Sequence, residues 1–381
     1  MAKYRQIAES LRDEIIRGKY GVGDAFFSVT GLCRRFGVSR LTAVKVFDLL
    51  KEERLICSRN GSGTYVAERP HARKIGFIVP GLAFSEFYGP IVREMVRLSA
   101  RLGFELLLGE AYSSDTRSCT REVADLAARF IASRVDGVIY QPLDLSPEGR
   151  LLNERILRAF VRAKMQVVLF DADVVEPPAR SSYDVICLDN VAAGEAAADC
   201  LFESGAHEVF FVRGLKLLSN VQERIRGVAY SSVRHGRGWS EDRILSLDFQ
   251  SPKSIVRELR AHAKADAFVC CSDTVAAKLL DGLHRLKRRV PEDVHIVGFD
   301  DVGLARLLSP SLTTVRQPCE ALARAAVDRL FARLERPDLP PMTLRLPAEL
   351  VVRESTRTSK VFPAFGKRGK KDNAAGKSRG E

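Results

Sequence analysis

Nine short apolar runs, each bounded by polar or turn residues, punctuate residues 75–301. They are IGFIVP (75–80), FELLLG (104–109), DGVIYQP (136–142), VVLFDA (167–172), VICLDN (185–190), VFFVRG (209–214), ILSLDF (244–249), AFVCCSD (267–273) and VHIVGFDD (294–301). Helical patterns separate them. A strand that is apolar at every position is covered on both faces, and strands of this kind alternating with helices build parallel sheets between helical layers. Such sheets bind ligands just outside the carboxyl ends of their strands. Asp171, Asp189, Arg213, Asp273, Asp300 and Asp301 fall at those positions. An ionised carboxylate accepts two or more hydrogen bonds and is a good partner for sugar hydroxyls. Equally, each Asp can simply cap the helix that follows it.

Residues 1–67 follow a different rule. Tyr4, Ile7, Leu11 and Ile15, flanked by Ala8 and Ile16, form one apolar stripe at helical spacing over 3–17, and Gly18 with the GVG at 21–23 ends it. A second helix fits residues 29–36, with Leu32, Cys33 and Phe36 inside and Arg34 and Arg35 outside. Gly37 is placed to end it and Ser39 to cap the next. That third helix, about residues 40–53, is expected to bury Val44, Val46, Phe47 and Leu50 and to leave Arg40, Leu41, Thr42 and Lys45 exposed near its start. Two helices joined by a short Gly-containing turn form a helix-turn-helix, whose second helix can enter a major groove. LICSR (55–59) and GTYVA (63–67), joined through Asn60 and Gly61, read as a hairpin in the position of a wing.

The chain carries 60 Lys and Arg against 48 Asp and Glu, a net charge of +12 over 381 residues, which favours an anionic partner such as nucleic acid. The surplus is concentrated at the two ends. Residues 1–70 hold +5 and residues 357–381 hold +6, leaving +1 for everything between. The tail, RTSKVFPAFGKRGKKDNAAGKSRGE, has no periodicity and the composition of a disordered segment. No apolar run approaches the length of a membrane span and the charged start lacks a signal-peptide core, so a cytoplasmic protein with no membrane partner is expected. The eight cysteines lie singly or as the pair Cys270 and Cys271, without a CxxC, which points to buried thiols and away from a metal site. HExxH, GxSxG and GxxxxGK(S/T) are absent, so neither catalysis nor a cofactor is expected.

The segments YRQIAESLRDEIIRGKY, FGVSRLTAVKVFDLLKEERLI and RNGSGTYV together resemble the winged helix-turn-helix of GntR-type regulators over the whole of 1–67. The resemblance implies operator contacts from Ser39, Arg40, Thr42, Arg59 and Gly61, and the exposed Lys45 joins them. Cations and hydroxyls at a helix start, with a glycine wing tip, also suit phosphate and groove contact on physical grounds. The chain departs from the family pattern at three places: Phe27, Ser28 and Val29 replace the usual Pro-Ser-Glu, Val44 replaces an Arg common in the recognition helix, and Arg54 replaces a Gly at its end.

From about Ile75 to Glu354 the chain resembles the effector-binding domains of the LacI/GalR family, themselves similar to periplasmic sugar-binding proteins. FYGPIVREMVRLSARLGFELLL, VDGVIYQP, LDNVAAGEAAADCLFESGAHEVFFVRG, FVCCSDTVAAKLL and VPEDVHIVGFDD followed by SPSLTTVRQP carry the likeness. It implies an α/β fold of two doubly wound parallel-sheet lobes, with effector residues at Tyr88, Asp171, Arg224, Ser272, Asp273 and Asp300. Tyr88 would stack on a sugar face, and Ser272 stands where relatives often have Asn. Trp239 and Phe249 read as packing residues.

The expected organisation is a small α+β winged head (1–67), a linker (68–74), a two-lobed periplasmic-binding-protein-like sensor (75–356) and a basic tail (357–381). A transcription regulator follows, a repressor that binds operator DNA as a homodimer under control of a sugar or sugar-derivative effector, cytoplasmic and at the nucleoid when on DNA. Two other classes share parts of this pattern. A sugar-binding transport component would need a secretory leader and no basic head. A GntR head on an enzyme-like domain would need a Schiff-base lysine motif, which the middle lacks.

Overall fold

A computed structural model describes residues 3–16, 19–53, 55–59, 62–67, 73–80, 86–111, 116–216 and 218–357. The chain forms two compact units, and head gives way to sensor at Arg73 and Lys74. Most of the expected linker (68–72) and the tail beyond Arg357 lie outside the described residues.

The head comprises α1 (Lys3–Ile16), α2 (Val29–Phe36), α3 (Arg40–Glu52), β1 (Ile56–Arg59) and β2 (Gly63–Val66). Ile7, Leu11 and Ile15 of α1 meet Leu32 of α2, Ala43, Val46, Phe47 and Leu50 of α3 and Ile56 and Val66 of the hairpin in one core. Each such large side chain contributes about 1.5–3 kcal/mol by leaving water. Ser28 caps α2 by accepting from the Gly31 N–H at 3.0 Å, and Gly37 ends it in the left-handed region at φ 59°. β1 and β2 are antiparallel, with Cys57 opposite Tyr65. Val44 corrects the sequence reading: it is 37% exposed, and Ala43 is the residue buried in its place. The core-facing side of α3 is set by residues 43, 46, 47 and 50, and position 44 lies about 100° round the helix from 43.

The sensor alternates strand and helix through β3 (Lys74–Pro80), α4 (Tyr88–Leu102), β4 (Glu105–Ala111), α5 (Thr116–Ala132), β5 (Gly137–Tyr140), α6 (Pro147–Arg162), β6 (Gln166–Phe170), β7 (Asp184–Leu188), α7 (Asn190–Glu203), β8 (Val209–Arg213) and α8 (Ser219–Arg234). It continues with β9 (Ile244–Ser246), α9 (Pro252–Ala261), β10 (Ala267–Cys270), α10 (Asp273–Arg285), β11 (His295–Asp300), α11 (Gly303–Leu307), β12 (Thr313–Arg316), α12 (Cys319–Glu335), β13 (Thr343–Leu346) and β14 (Glu349–Val351). Among the described residues these strands form two six-stranded sheets, ordered β13-β7-β6-β5-β3-β4 and β14-β12-β11-β10-β8-β9. Each sheet is the centre of one lobe. The strands are parallel wherever their pairing is described, except that β14 runs antiparallel to β12. β12, β13 and β14 lie outside the nine apolar runs, and the run at 244–249 forms a strand only over its first three residues.

The chain passes between lobes three times: from β7 to α7, from β12 to α12 and from β13 to β14. Ala193, Ala197 and Leu201 of α7 enter the second lobe's core, whereas α12 packs against α4 and β6 of the first. Asp184, fully buried, pairs with Arg329 and Arg333 of α12 and accepts from the Met342 N–H, which fixes this return to the first lobe. Helices α7 and α8 touch backbone to backbone. A Cβ on Gly194 would stand 2.2 Å from the Arg224 carbonyl oxygen, and one on Gly227 would stand 2.1 Å from that of Val191.

Candidate functional site

In the head, Ser39 opens α3: its hydroxyl accepts from the Thr42 N–H at 3.3 Å and lies 3.0 Å from the Thr42 hydroxyl. Arg40 and Lys45 are exposed and Thr42 half-buried on the same helix start. The Lys45 Nζ sits 5.6 Å from the centre of the Tyr4 ring. Arg35 of α2 is engaged by Glu14, at 2.8 Å, and by the Tyr20 hydroxyl. Arg59 ends β1 opposite Gly63, but its side chain and Gly61 lie outside the described residues. At the wing, the Tyr65 hydroxyl donates to the Ser62 carbonyl at 2.7 Å.

In the sensor, residues from both lobes converge at the carboxyl ends of the strands. Asp171, just beyond β6, is buried, with its backbone in the left-handed region at φ 65°. Its Oδ2 accepts from Gln141 Nε2 at 3.2 Å in its own lobe and from Asn220 Nδ2 of α8 at 2.8 Å in the other. No partner among the described residues reaches its buried Oδ1. Ser219 adds a second link across the lobes, accepting from the Asp173 N–H at 2.8 Å and donating to its carbonyl at 3.0 Å. Asp171 and Asn220 border a cavity of about 220 Å³ between the lobes.

Arg224, one helical turn beyond Asn220, is buried. It donates from Nε to Asn190 Oδ1 at 2.9 Å and from Nη1 to the Cys271 carbonyl at 2.7 Å, and it lies 4.4 Å over the Phe299 ring. Asp300, at φ 107°, accepts from Gln317 Nε2 at 2.6 Å. Left-handed backbone at two aspartates, one at a strand end of each lobe, is strain of the kind that gathers at binding sites.

Two family models match the chain: one described as bacterial regulatory proteins of the gntR family, over residues 3–66, and one as a periplasmic binding protein-like domain, over residues 198–356. The transcriptional regulator CelR of Thermobifida fusca is 30% identical over 274 residues, covering 71% of this chain and 76% of that protein. A ribose operon repressor of Halalkalibacterium halodurans is 25% identical, covering 74% and 79% respectively. Among solved structures, a complex of the regulator CelR with cellobiose superposes with a TM-score of 0.64 at 25% identity, covering 84% of this chain and 91% of that one. The chain belongs to the LacI/GalR family of transcription regulators. Its head is of the gntR type, and the protein is a sequence-specific DNA-binding regulator.

Within this LacI/GalR-type sensor the carboxylates differ in environment. Burial raises Asp171 above the ordinary carboxylate range, opposed by the Arg224 charge and by the amides of Asn220 and Gln141. Burial pushes Asp300 up to about 6, again opposed by Arg224. Asp273 is pushed up to about 8, by burial and then by the charge of Asp300. Asp273 is fully buried inside the second lobe, where Oδ1 meets the Thr314 hydroxyl at 2.5 Å and Oδ2 accepts from the Val302 N–H at 2.9 Å. Both oxygens are thus engaged within the lobe. Ser272 caps α10, accepting from the Val275 N–H at 3.3 Å.

Tyr88 departs from its expected stacking role. Its ring is 6% exposed, edge-on to Phe87 at 5.0 Å, and its hydroxyl donates to Gln141 Oε1. Two further strand-end aspartates serve the fold: Asp189 caps α7 through the Ala192 N–H at 3.2 Å, and Asp301 is held by Arg316 at 2.7 Å and by Arg353. Trp239 and Phe249 pack against the second lobe's two clusters. The carboxamides Gln141, Asn190, Asn220 and Gln317 complete the site and were not singled out from sequence. Gln141, Asn190 and Gln317 did lie in quoted motifs, in DGVIYQP, VICLDN and TTVRQP, but an uncharged amide carries no signal of its own.

Proposed function

We propose that this regulator is a repressor whose operator affinity is set by an uncharged sugar or sugar derivative bound between the two lobes. The observation that carries this is the buried Asp171 Oδ1, an acceptor with no partner among the described residues. Gln317 Oε1, after β12, is a second such acceptor, and Arg213 Nε, at the end of β8, is a donor in the same state. A sugar hydroxyl donates as well as accepts, so a polyhydroxy ligand beside Asp171 supplies the donor that its Oδ1 lacks. Arg224 is already committed to Asn190, the Cys271 carbonyl and the Phe299 ring, which disfavours an anionic group beside Asp171 and Asp300.

The names of relatives support the same class, since they include a ribose operon repressor and a regulator solved with cellobiose. We read Ser39, Arg40, Thr42, Lys45, Arg59 and Gly61 as the operator contacts, and Tyr88 with Ser272 and Asp273 as a supporting shell around Asp171, Arg224 and Asp300. The regulator acts as a homodimer on a roughly palindromic operator, in the cytoplasm, and is not an enzyme. No helix among the described residues is long and apolar enough to cross a membrane.

The test is a panel of neutral mono- and disaccharides, with phosphorylated sugars alongside, scored by thermal shift of the full chain and by retention of operator DNA. A neutral sugar should raise the unfolding temperature and change DNA retention together. If no neutral sugar moves either signal, the effector reading fails.

A further inference from the structure

The side of α3 turned away from the head core carries two large apolar side chains. Leu41 is 68% exposed and Val44 37%, with Arg40, Lys45 and Asp48 exposed around them. Residues three apart are neighbours on a helix, so Leu41 and Val44 form one patch near the start of α3. The core does not need them, because Ala43, Val46, Phe47 and Leu50 fill the opposite side. The Ser39 cap fixes where this patch stands.

We propose that Leu41 and Val44 determine operator specificity by reading thymine 5-methyl groups in the major groove. The inference rests on the DNA-binding reading of the head and adds which base edge is read. Neither side chain donates or accepts a hydrogen bond, and the thymine methyl is the apolar group that base edges present there. Arg40 and Lys45 border the patch and suit phosphates, which brings the uncharged strip between them against base edges. Those cations are also why the occupant is DNA and not the apolar face of a protein.

The experiment selects a half-site from random duplexes with the full-length protein, then replaces each thymine singly by deoxyuridine, which removes only the methyl. At two neighbouring positions uracil should weaken binding about three- to tenfold, with little change elsewhere. The penalty should vanish at one position in Leu41→Ala and at the other in Val44→Ala, each variant unfolding at the wild-type temperature because the side chain is exposed. Tolerance of uracil at every position, or penalties that survive in both variants, overturns the inference while operator binding itself stands. Failure to enrich any sequence overturns the DNA-binding reading as well. The uracil series on the unaltered protein is decisive even if a variant misfolds.

Discussion

Asp273 sits at a strand end, as Asp171 and Asp300 do, yet its two oxygens are taken by the Thr314 hydroxyl and the Val302 N–H inside one lobe. Its carboxyl, pushed up to about 8, holds a proton in the folded protein that the unfolded chain releases in the ordinary carboxylate range. Between that range and about pH 8 the folded state therefore binds more protons, and the stability contribution falls as pH rises. Asp273→Asn keeps an acceptor for the Val302 N–H and lets its Nδ2 donate to the Thr314 hydroxyl without the ionisation, so it should gain stability relative to the parent as pH rises towards 8, read by chemical denaturation at several pH values. Asp273→Ala leaves the hydroxyl and the amide unpaired and should cost about 2–4 kcal/mol. Asp300 differs in having Arg224 and Asp171 as its charged neighbours. With its carboxyl at about 6, it loses its charge as pH falls below that value, so effector affinity should weaken below about pH 6 while Asp300→Asn shows a flatter profile by titration calorimetry. Asp171→Asn, which replaces one acceptor oxygen by a donor, should abolish the effector's thermal shift and leave the apo protein folded.

At the scale of elements, the close approach of α7 and α8 is what holds Arg224 and Asn220 at the cleft. Gly194→Ala or Gly227→Ala would drive a methyl into a carbonyl of the other helix, and no side chain is there to yield. Each should destabilise the sensor by about 2 kcal/mol or more and weaken the effector response beyond that loss, visible as a lowered unfolding temperature with a reduced ligand shift. The glycines themselves were plain in the sequence, but their pairing was not, because it depends on two helices meeting across 33 residues of chain. The same distinction runs through the fold. Buried strands such as β5 and β10 were legible because every residue is apolar. β13, half-buried at a sheet edge with Arg345 in its middle, was not. In the site, charged residues at strand ends could be read, whereas Asn220, which reaches Asp171 from 49 positions away, gains meaning only from tertiary proximity. Val44 was misplaced for a related reason: an apolar residue beside a helical stripe looks buried until the helix is docked.

For the whole molecule, charge and function are divided along the chain. The sensor span, residues 71–356, carries +1 and the two ends +11. On the operator reading proposed for Arg40, Lys45 and their neighbours, DNA binding releases counterions from phosphates, and the loss of affinity with salt grows with the number of phosphates neutralised. The effector, by contrast, meets buried groups whose interactions a screening atmosphere barely reaches. Operator affinity should thus fall at least about a hundredfold between roughly 50 and 200 mM NaCl, while effector affinity for the same protein changes by less than about twofold. Removing residues 358–381, which hold seven of the basic side chains, should lower the salt slope and the affinity for random DNA without altering the ratio of operator to random binding. Under the proposed readout that ratio is set by base contacts from α3, since phosphate contacts carry no sequence information. A truncated chain that loses the ratio along with the slope would place part of the sequence reading in the tail, and an effector affinity that tracked salt as steeply as operator affinity would mean that the ligand is itself an anion.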